Sequence, residues 1–263
     1  MVCLLAGTGS PTGTLAFGTG QYVFSVRADG TRGHAVAHGD YPAFSRSGTS
    51  LAFTRDGVWV ARADGSHARR VVPRFAEYLT YASPSWAPDG RWLAYVRVDN
   101  LHGTSELWLV RSDGSHLHGL SIVHAARTPS WSPNGEWIAY VGDGALSEAR
   151  ADGSAKRVLL RHDVESPTWS PDGATLAFQQ ARGATVSTWL LTVRTHSLRR
   201  LEAHRGPPGP LAWSPDGRFV AFATTRRGPG GVFLQLRAVP ARGGAAVTLA
   251  HSYGQELDGL SWR

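Results

Sequence analysis

Cysteine occurs once, as Cys3, so no internal disulfide and no cysteine-rich zinc site can hold this chain of 263 residues together. Cysteine usage is therefore silent on redox compartment. The sequence also lacks any run of about 18 apolar residues, which removes a membrane-spanning helix from consideration. Lysine is nearly absent: Lys156 stands alone in a Lys+Arg total of 27, so arginine supplies almost all of the formal net charge of +7. Such a balance invites a nucleic-acid reading only if the arginines cluster on one surface. Residues 1–9 lack the basic start and the length of a signal peptide, and they read as a disordered or truncated leader.

What the sequence does hold is turn formers and large rings. Glycine occurs 31 times, proline 15 times and tryptophan 10 times, within a composition that is 42% hydrophobic and 18% charged. This is the balance of a folded globular chain with many tight turns and an aromatic, β-branched core. The expectation is an all-β fold.

A repeat makes that expectation specific. Variants of Ser-Trp-Ser-Pro-Asp-Gly recur as Phe44-Ser-Arg-Ser-Gly48, Trp86-Ala-Pro-Asp-Gly90, Trp131-Ser-Pro-Asn-Gly135, Trp169-Ser-Pro-Asp-Gly173 and Trp213-Ser-Pro-Asp-Gly217. The aromatic anchors at 44, 86, 131, 169 and 213 lie 42, 45, 38 and 44 residues apart, the period of a four-stranded propeller blade. After each turn comes an apolar strand such as Trp92-Leu-Ala-Tyr95 or Trp137-Ile-Ala-Tyr140. A third strand follows, commonly ending at Asp-Gly (Asp29-Gly30, Asp64-Gly65, Asp113-Gly114, Asp152-Gly153), the strongest short hairpin signal. A fourth strand, such as Arg69-Arg-Val-Val72, returns the chain. The C-terminus ends on a bare anchor, Trp262-Arg263, and the N-terminus begins with the turn remnant Ser10-Pro-Thr-Gly13. Each is part of one blade, so their pairing should close a ring of six blades in a single domain spanning residues 1–263 and leave no free sheet edge.

These motifs resemble the TolB-type, WD-like β-propeller repeat over essentially the whole chain. The resemblance implies a six-bladed propeller and, through the family's periplasmic and extracellular members, a periplasmic or extracellular bacterial protein. The fifth and sixth periods depart from it, because they lack the Asp-Gly turn after the third strand.

Strand alternation divides the loops between two faces. The Pro-Asp-Gly and Ala-Asp-Gly turns fall on one, here face two; the irregular connections fall on the other, face one. Variable loops on a rigid frame are where binding resides, so the candidate site is face one. Arg27, Arg62, Arg111, Arg150, Arg194 and Arg237 read as one repeated position at the end of the third strand, paired with turn carboxylates such as Asp64 and Asp113. That spreads the charge around the ring and argues against a nucleic-acid partner. His38, His124, His162, His204 and His251 fall in blade-to-blade connections and are expected around the channel mouth. Four residues before each anchor stand Asp40, Ala82, Arg127, Glu165, Gly209 and Asp258. Imidazoles and carboxylates of this kind can bind a divalent metal or a polar ligand. Tyr78 and Tyr81 form an aromatic pair beside the mouth, and Arg226-Arg227 a basic pair on a face-one loop. The repeated Trp86, Trp131, Trp169, Trp213 and Trp262, with Trp92 and Trp137, read as core.

No Gly-x-Ser-x-Gly elbow, phosphate-binding loop or His-Glu-x-x-His pattern occurs. The expected function is a non-catalytic, monomeric binding scaffold, without an obligate cofactor, for a protein or peptide segment or a small polar ligand. The alternative is a metal-dependent lyase or hydrolase at the channel mouth, since some oligogalacturonide lyases are similar to this repeat class and use histidines with a divalent metal.

Overall fold

The computed structural model describes residues 11–124, 126–228, 231–253 and 257–263, with backbone alone at 121–124, 225–228, 231–233 and 251–253. The leader expected at residues 1–9 lies outside the described residues.

Among the described residues, twenty-four strands form six antiparallel four-stranded sheets. Blade 1 contains β1 (Thr14–Gly18), β2 (Tyr22–Arg27) and β3 (His34–His38). Blade 2 is β4 (Asp40–Phe44), β5 (Ser50–Thr54), β6 (Val58–Arg62) and β7 (Arg69–Val72). Blade 3 is β8 (Leu79–Trp86), β9 (Trp92–Asp99), β10 (Thr104–Arg111) and β11 (His118–His124). Blade 4 is β12 (Arg127–Trp131), β13 (Trp137–Gly142), β14 (Ala145–Arg150) and β15 (Lys156–Leu160). Blade 5 is β16 (Glu165–Trp169), β17 (Thr175–Arg182), β18 (Thr185–Thr192) and β19 (Ser197–Arg205). Blade 6 is β20 (Leu211–Trp213), β21 (Phe219–Gly228), β22 (Gly231–Pro240) and β23 (Val247–Tyr253), and β24 (Asp258–Trp262) completes blade 1 as its innermost strand. Ring closure is direct: Leu15 pairs with Trp262 and Phe17 with Leu260, and Thr14 and Arg263 exchange backbone hydrogen bonds of 2.8 and 2.9 Å.

The turn sequence recurs because its first and third residues close it. In Ser170-Pro-Asp-Gly173 the serine hydroxyl donates to Asp172 at 2.5 Å and accepts from the Thr175 N–H at 3.0 Å. Ser132 with Asn134 and Ser214 with Asp216 repeat the arrangement. In the Ala-Asp-Gly turns the aspartate accepts from the residue two places on, as Asp64 does from Ser66 at 2.9 Å. Glycine is required at Gly65: its φ is +83°, and an added Cβ would lie 1.8 Å from the Val36 carbonyl of the preceding blade.

The core is divided among the seams between blades. One cluster joins Val72, Tyr81, Trp86 and Tyr95 between blades 2 and 3; another joins Leu146, Leu159, Leu176 and Phe178 between blades 4 and 5. Burying each such side chain stabilises the ring by roughly 1.5–3 kcal/mol. Trp86, Trp131, Trp213 and Trp262 are buried in these seams as expected.

Three sequence expectations need correction. Trp92, Trp137 and Trp169 are half-buried, and arginines lie over the first two rings: Arg111 at 5.3 Å from Trp92, Arg150 at 5.0 Å and Arg157 at 4.7 Å from Trp137. The six arginines are not one position. Register places Arg27, Arg62, Arg111 and Arg150 opposite the first residue of the second strand, but Thr192 and Pro240 occupy that place in blades 5 and 6. Arg194 lies beyond its strand and Arg237 three residues before the end of its own. The turn aspartates are also held by hydroxyls rather than by arginine: the Ser66 and Ser115 hydrogen bonds keep Asp64 and Asp113 below the usual carboxylate range, and Arg62 and Arg111 contribute less.

Candidate functional site

The innermost strands line a central channel, and their first residues form its face-one mouth. In five blades this strand carries a bulge just inside the mouth: at Gly259 in blade 1, and at Tyr41-Pro42, Ser83-Pro84, Thr128-Pro129 and Ser166-Pro167 in blades 2 to 5, where register shifts past these residues. The residue before each proline is left-handed: φ is 49° at Tyr41, 50° at Ser83, 44° at Thr128 and 54° at Ser166. A proline at this point has no N–H to lose from the ladder, and it keeps the preceding residue out of the right-handed helical region. Four strained non-glycine residues around one channel are the kind of backbone that a binding surface holds in place. The signal was present in the sequence as a proline two residues before the anchor.

The mouth residues fall into two groups on opposite sides of the ring. Where blades 1 and 2 meet, Asp40 accepts the Gly20 N–H at 2.7 Å, and burial raises its carboxyl above the usual value. Gly18 separates it from Asp258: a Cβ there would stand 2.7 Å from the Asp40 carboxylate and 2.4 Å from the Asp258 carbonyl. Tyr41 feels both carboxylates, and burial together with Asp258 and Asp40 pushes its phenol up. Where blades 4 and 5 meet, Arg127 pairs with Glu165 at 3.6 Å. Burial raises the Glu165 carboxyl despite Arg127, and Asp163 pushes in the same direction. Ala82 and Gly209 leave the remaining positions without charge.

The histidines do not form the expected ring of connections. His38, His124, His204 and His251 lie in the fourth strands β3, β11, β19 and β23; His162 alone occupies a connection, where it is exposed. His38 packs its ring 4.4 Å from Tyr22, and His204 stacks at 5.3 Å on Phe222 of the next blade. The side chains of His124, His251 and Arg227 lie outside the described residues. Arg226 and Arg227 belong to strand β21 rather than to a loop, opposite Phe233 and Val232. Among the described residues no three His, Cys, Asp or Glu side chains converge as a metal site. The two carboxylate groups sit across the ring from each other, which explains that result.

The tyrosine pair separates. Tyr78 is 45% exposed, whereas Tyr81 is only 6% exposed. The Tyr81 hydroxyl donates to the Pro73 carbonyl and accepts from the Phe75 N–H, each at 3.2 Å. Tyr81 therefore clamps the connection to blade 3 from beneath and presents nothing to a partner.

Sequence reasoning did not identify a further polar group between blades 5 and 6. Gln179 and Thr188 are fully buried and paired across β17 and β18. Gln179 accepts the Gly209 N–H at 2.7 Å. Burial, reinforced by Arg237, holds the nearby His204 imidazole below the usual histidine value.

No protein-family profile and no curated protein matches the sequence. Solved structures do. TolB from Acinetobacter baumannii superposes with a TM-score of 0.82 at 16% identity, covering 97% of this chain and 67% of that one. A candidate TolB from Agrobacterium tumefaciens gives 0.70 at 20% identity, covering 94% and 92%. An oligogalacturonate lyase in complex with manganese gives 0.60 at 14% identity, covering 87% and 70%. The fold is thus a six-bladed, TolB-like propeller.

Proposed function

We propose that this propeller is a non-catalytic scaffold that holds a protein segment or a small polar ligand on face one. The observation that carries the reading is the contrast between the faces. Face two repeats one hydrogen-bonded turn, while face one presents a different connection from nearly every blade around an acidic group at Asp40 and Asp258 and an ion pair at Arg127 and Glu165. Hydrogen-bonding groups of both kinds at a channel mouth suit a polar or charged segment. The TolB likeness supports a protein partner, and the periplasmic or extracellular placement implied by the repeat belongs to the same reading.

Peptides selected against the protein test this directly. Their affinity should fall at least about tenfold, or 1.4 kcal/mol, in Asp40→Asn, Tyr78→Ala or His162→Ala, and stay unchanged in the face-two variant Asp89→Asn. Loss confined to Asp89→Asn would overturn the proposal.

The second reading, a metal-dependent lyase or hydrolase, draws on the manganese-bound lyase among the similar structures. The described donor set does not fit a metal at the mouth, because its carboxylates are split between opposite sides. Elemental analysis of the purified protein and thermal melts with Mn²⁺ or Ca²⁺ decide between the readings, since a metal that prefers the native state must raise the melting temperature.

A further inference from the structure

The other end of the channel is built differently. It belongs to a channel cavity of about 760 Å³, the size of a small-molecule site, that runs from the face-two turns to the bulges inside the face-one mouth. The turn prolines Pro88, Pro133, Pro171 and Pro215 line it, but blade 2 carries Arg46 where those blades carry proline. Blades 2 and 5 are opposite in a ring of six. The Arg46 guanidinium spans the opening and donates to the Pro171 carbonyl at 3.4 Å, a long bond that occupies one of its five N–H donors.

Two further features make the wall rich in donors and poor in negative charge. No Asp or Glu side chain lines the cavity among the described residues; the nearby Asp172 and Asp216 are turned back onto Ser170 and Ser214. Deeper in the channel, the Ser261, Ser85 and Ser130 hydroxyls accept the anchor N–H of the following blade, from Phe44 at 2.8 Å and from Trp131 and Trp169 at 3.2 Å. A hydroxyl oxygen that accepts an N–H still has its own proton to give. These three serines line the cavity, and among the described residues the only hydrogen bonds of their hydroxyls are the ones they accept.

The geometry points to a binding site for a small organic dicarboxylate, entered from face two, with Arg46 as the hook for one carboxylate and the serine belt as donors to the other. Arginine presents a planar fork that matches a carboxylate and stays charged at any working pH. The serine belt lies three residues further along the innermost strand, roughly 10 Å away at strand rise, so an extended molecule with acceptor oxygens at both ends reaches both. The cavity continues up the channel to the bulge residues Tyr41, Ser83, Thr128 and Ser166 inside the face-one mouth, but Arg46 and the serines lie toward its face-two end, and the assignment does not rest on the face-one reading.

Calorimetric titration with adipate tests the site, with hexanoate and the neutral adipamide as controls and thermal melts to verify folding. Adipate should bind with a Kd below about 1 mM, hexanoate more weakly, and adipamide not measurably. Arg46→Pro installs the residue that other blades carry, so the fold should persist while adipate affinity falls at least about tenfold; Arg46→Ala should do the same, and Arg46→Lys should restore part of it. Ser85→Ala with Ser130→Ala should weaken adipate and leave hexanoate unchanged. Absence of saturable adipate binding, equal binding of adipamide, or undiminished binding in Arg46→Pro and Arg46→Ala would overturn the assignment.

Discussion

Blade 4 turns Val141 and Leu146 toward blade 5, whereas blade 5 turns Gln179 and Thr188, the residues at the same two places of its own repeat, toward blade 6. The backbone pairing is the same in both. The first pair joins an apolar cluster with Leu176 and Phe178; the second sits beside His204, and the apolar part of its seam is carried by Ala177, Leu190 and Trp213. The difference teaches that the repeat dictates register and turn, while each seam obtains its cohesion from side chains that the repeat leaves free. Apolar burial alone serves the first seam. The second adds to its apolar cluster one hydrogen bond from a connection, Gly209 N–H to Gln179, and leaves the Thr188 hydroxyl and both His204 ring nitrogens without a protein partner among the described residues.

Opening the ring is the harshest way to test whether these seams stand alone. Deleting residues 257–263 removes β24, leaves β1 as an unpaired edge and takes away the buried Leu260 and Trp262. Cooperative thermal unfolding, followed by circular dichroism, should be lost. Retention of the parent melting temperature would mean that each seam holds without closure. Next in size, Leu146→Ala should destabilise by about 2–5 kcal/mol in denaturant unfolding, because it leaves a cavity in the apolar seam. Thr188→Val should do the opposite and stabilise by about 1 kcal/mol, since it places in blade 5 the kind of side chain found at Val58, Leu107, Leu146 and Leu236. A loss of stability there would show that the hydroxyl serves the polar seam.

The smallest effect is a pH dependence confined to the polar seam. An unfolded histidine takes up its proton near pH 6.5, and buried His204 resists doing so. Its contribution is therefore fully present above that pH and is lost as pH falls through it toward the lowered folded value. His204→Phe, which keeps a ring against Phe222, should flatten the fall in melting temperature between about pH 7.5 and 5.5. An unchanged slope would place the acid sensitivity elsewhere.

The blades were legible because their signals are local. Anchor, turn and Asp-Gly each lie within a few residues, and the structure keeps all six periods, including the blade shared by the two ends. Arg237 was misplaced because blade 6 lacks the Asp-Gly marker and its third strand runs on to Pro240. Tyr81 and Tyr78 looked alike in sequence, since burial depends on whether the connection from Pro73 folds over the ring. The histidines all precede the anchors, by 6 to 11 residues, but the fourth strands differ in length and absorb four of them. Arg46 stood in plain view as the one turn without its proline; its reach across to blade 5 follows only from the ring's sixfold geometry.

The exchange of hydrogen bonds between Thr14 and Arg263 also has a consequence for how the chain could be rewired. Where two ends meet as ladder neighbours, the order of blades along the polypeptide is a convention rather than a requirement. A circular permutant that joins Arg263 to residue 11 through a short linker and opens at the exposed Asp89-Gly90 turn should rebuild the same ring from a different starting blade, converting blade 1 from a junction of two ends into an uninterrupted stretch.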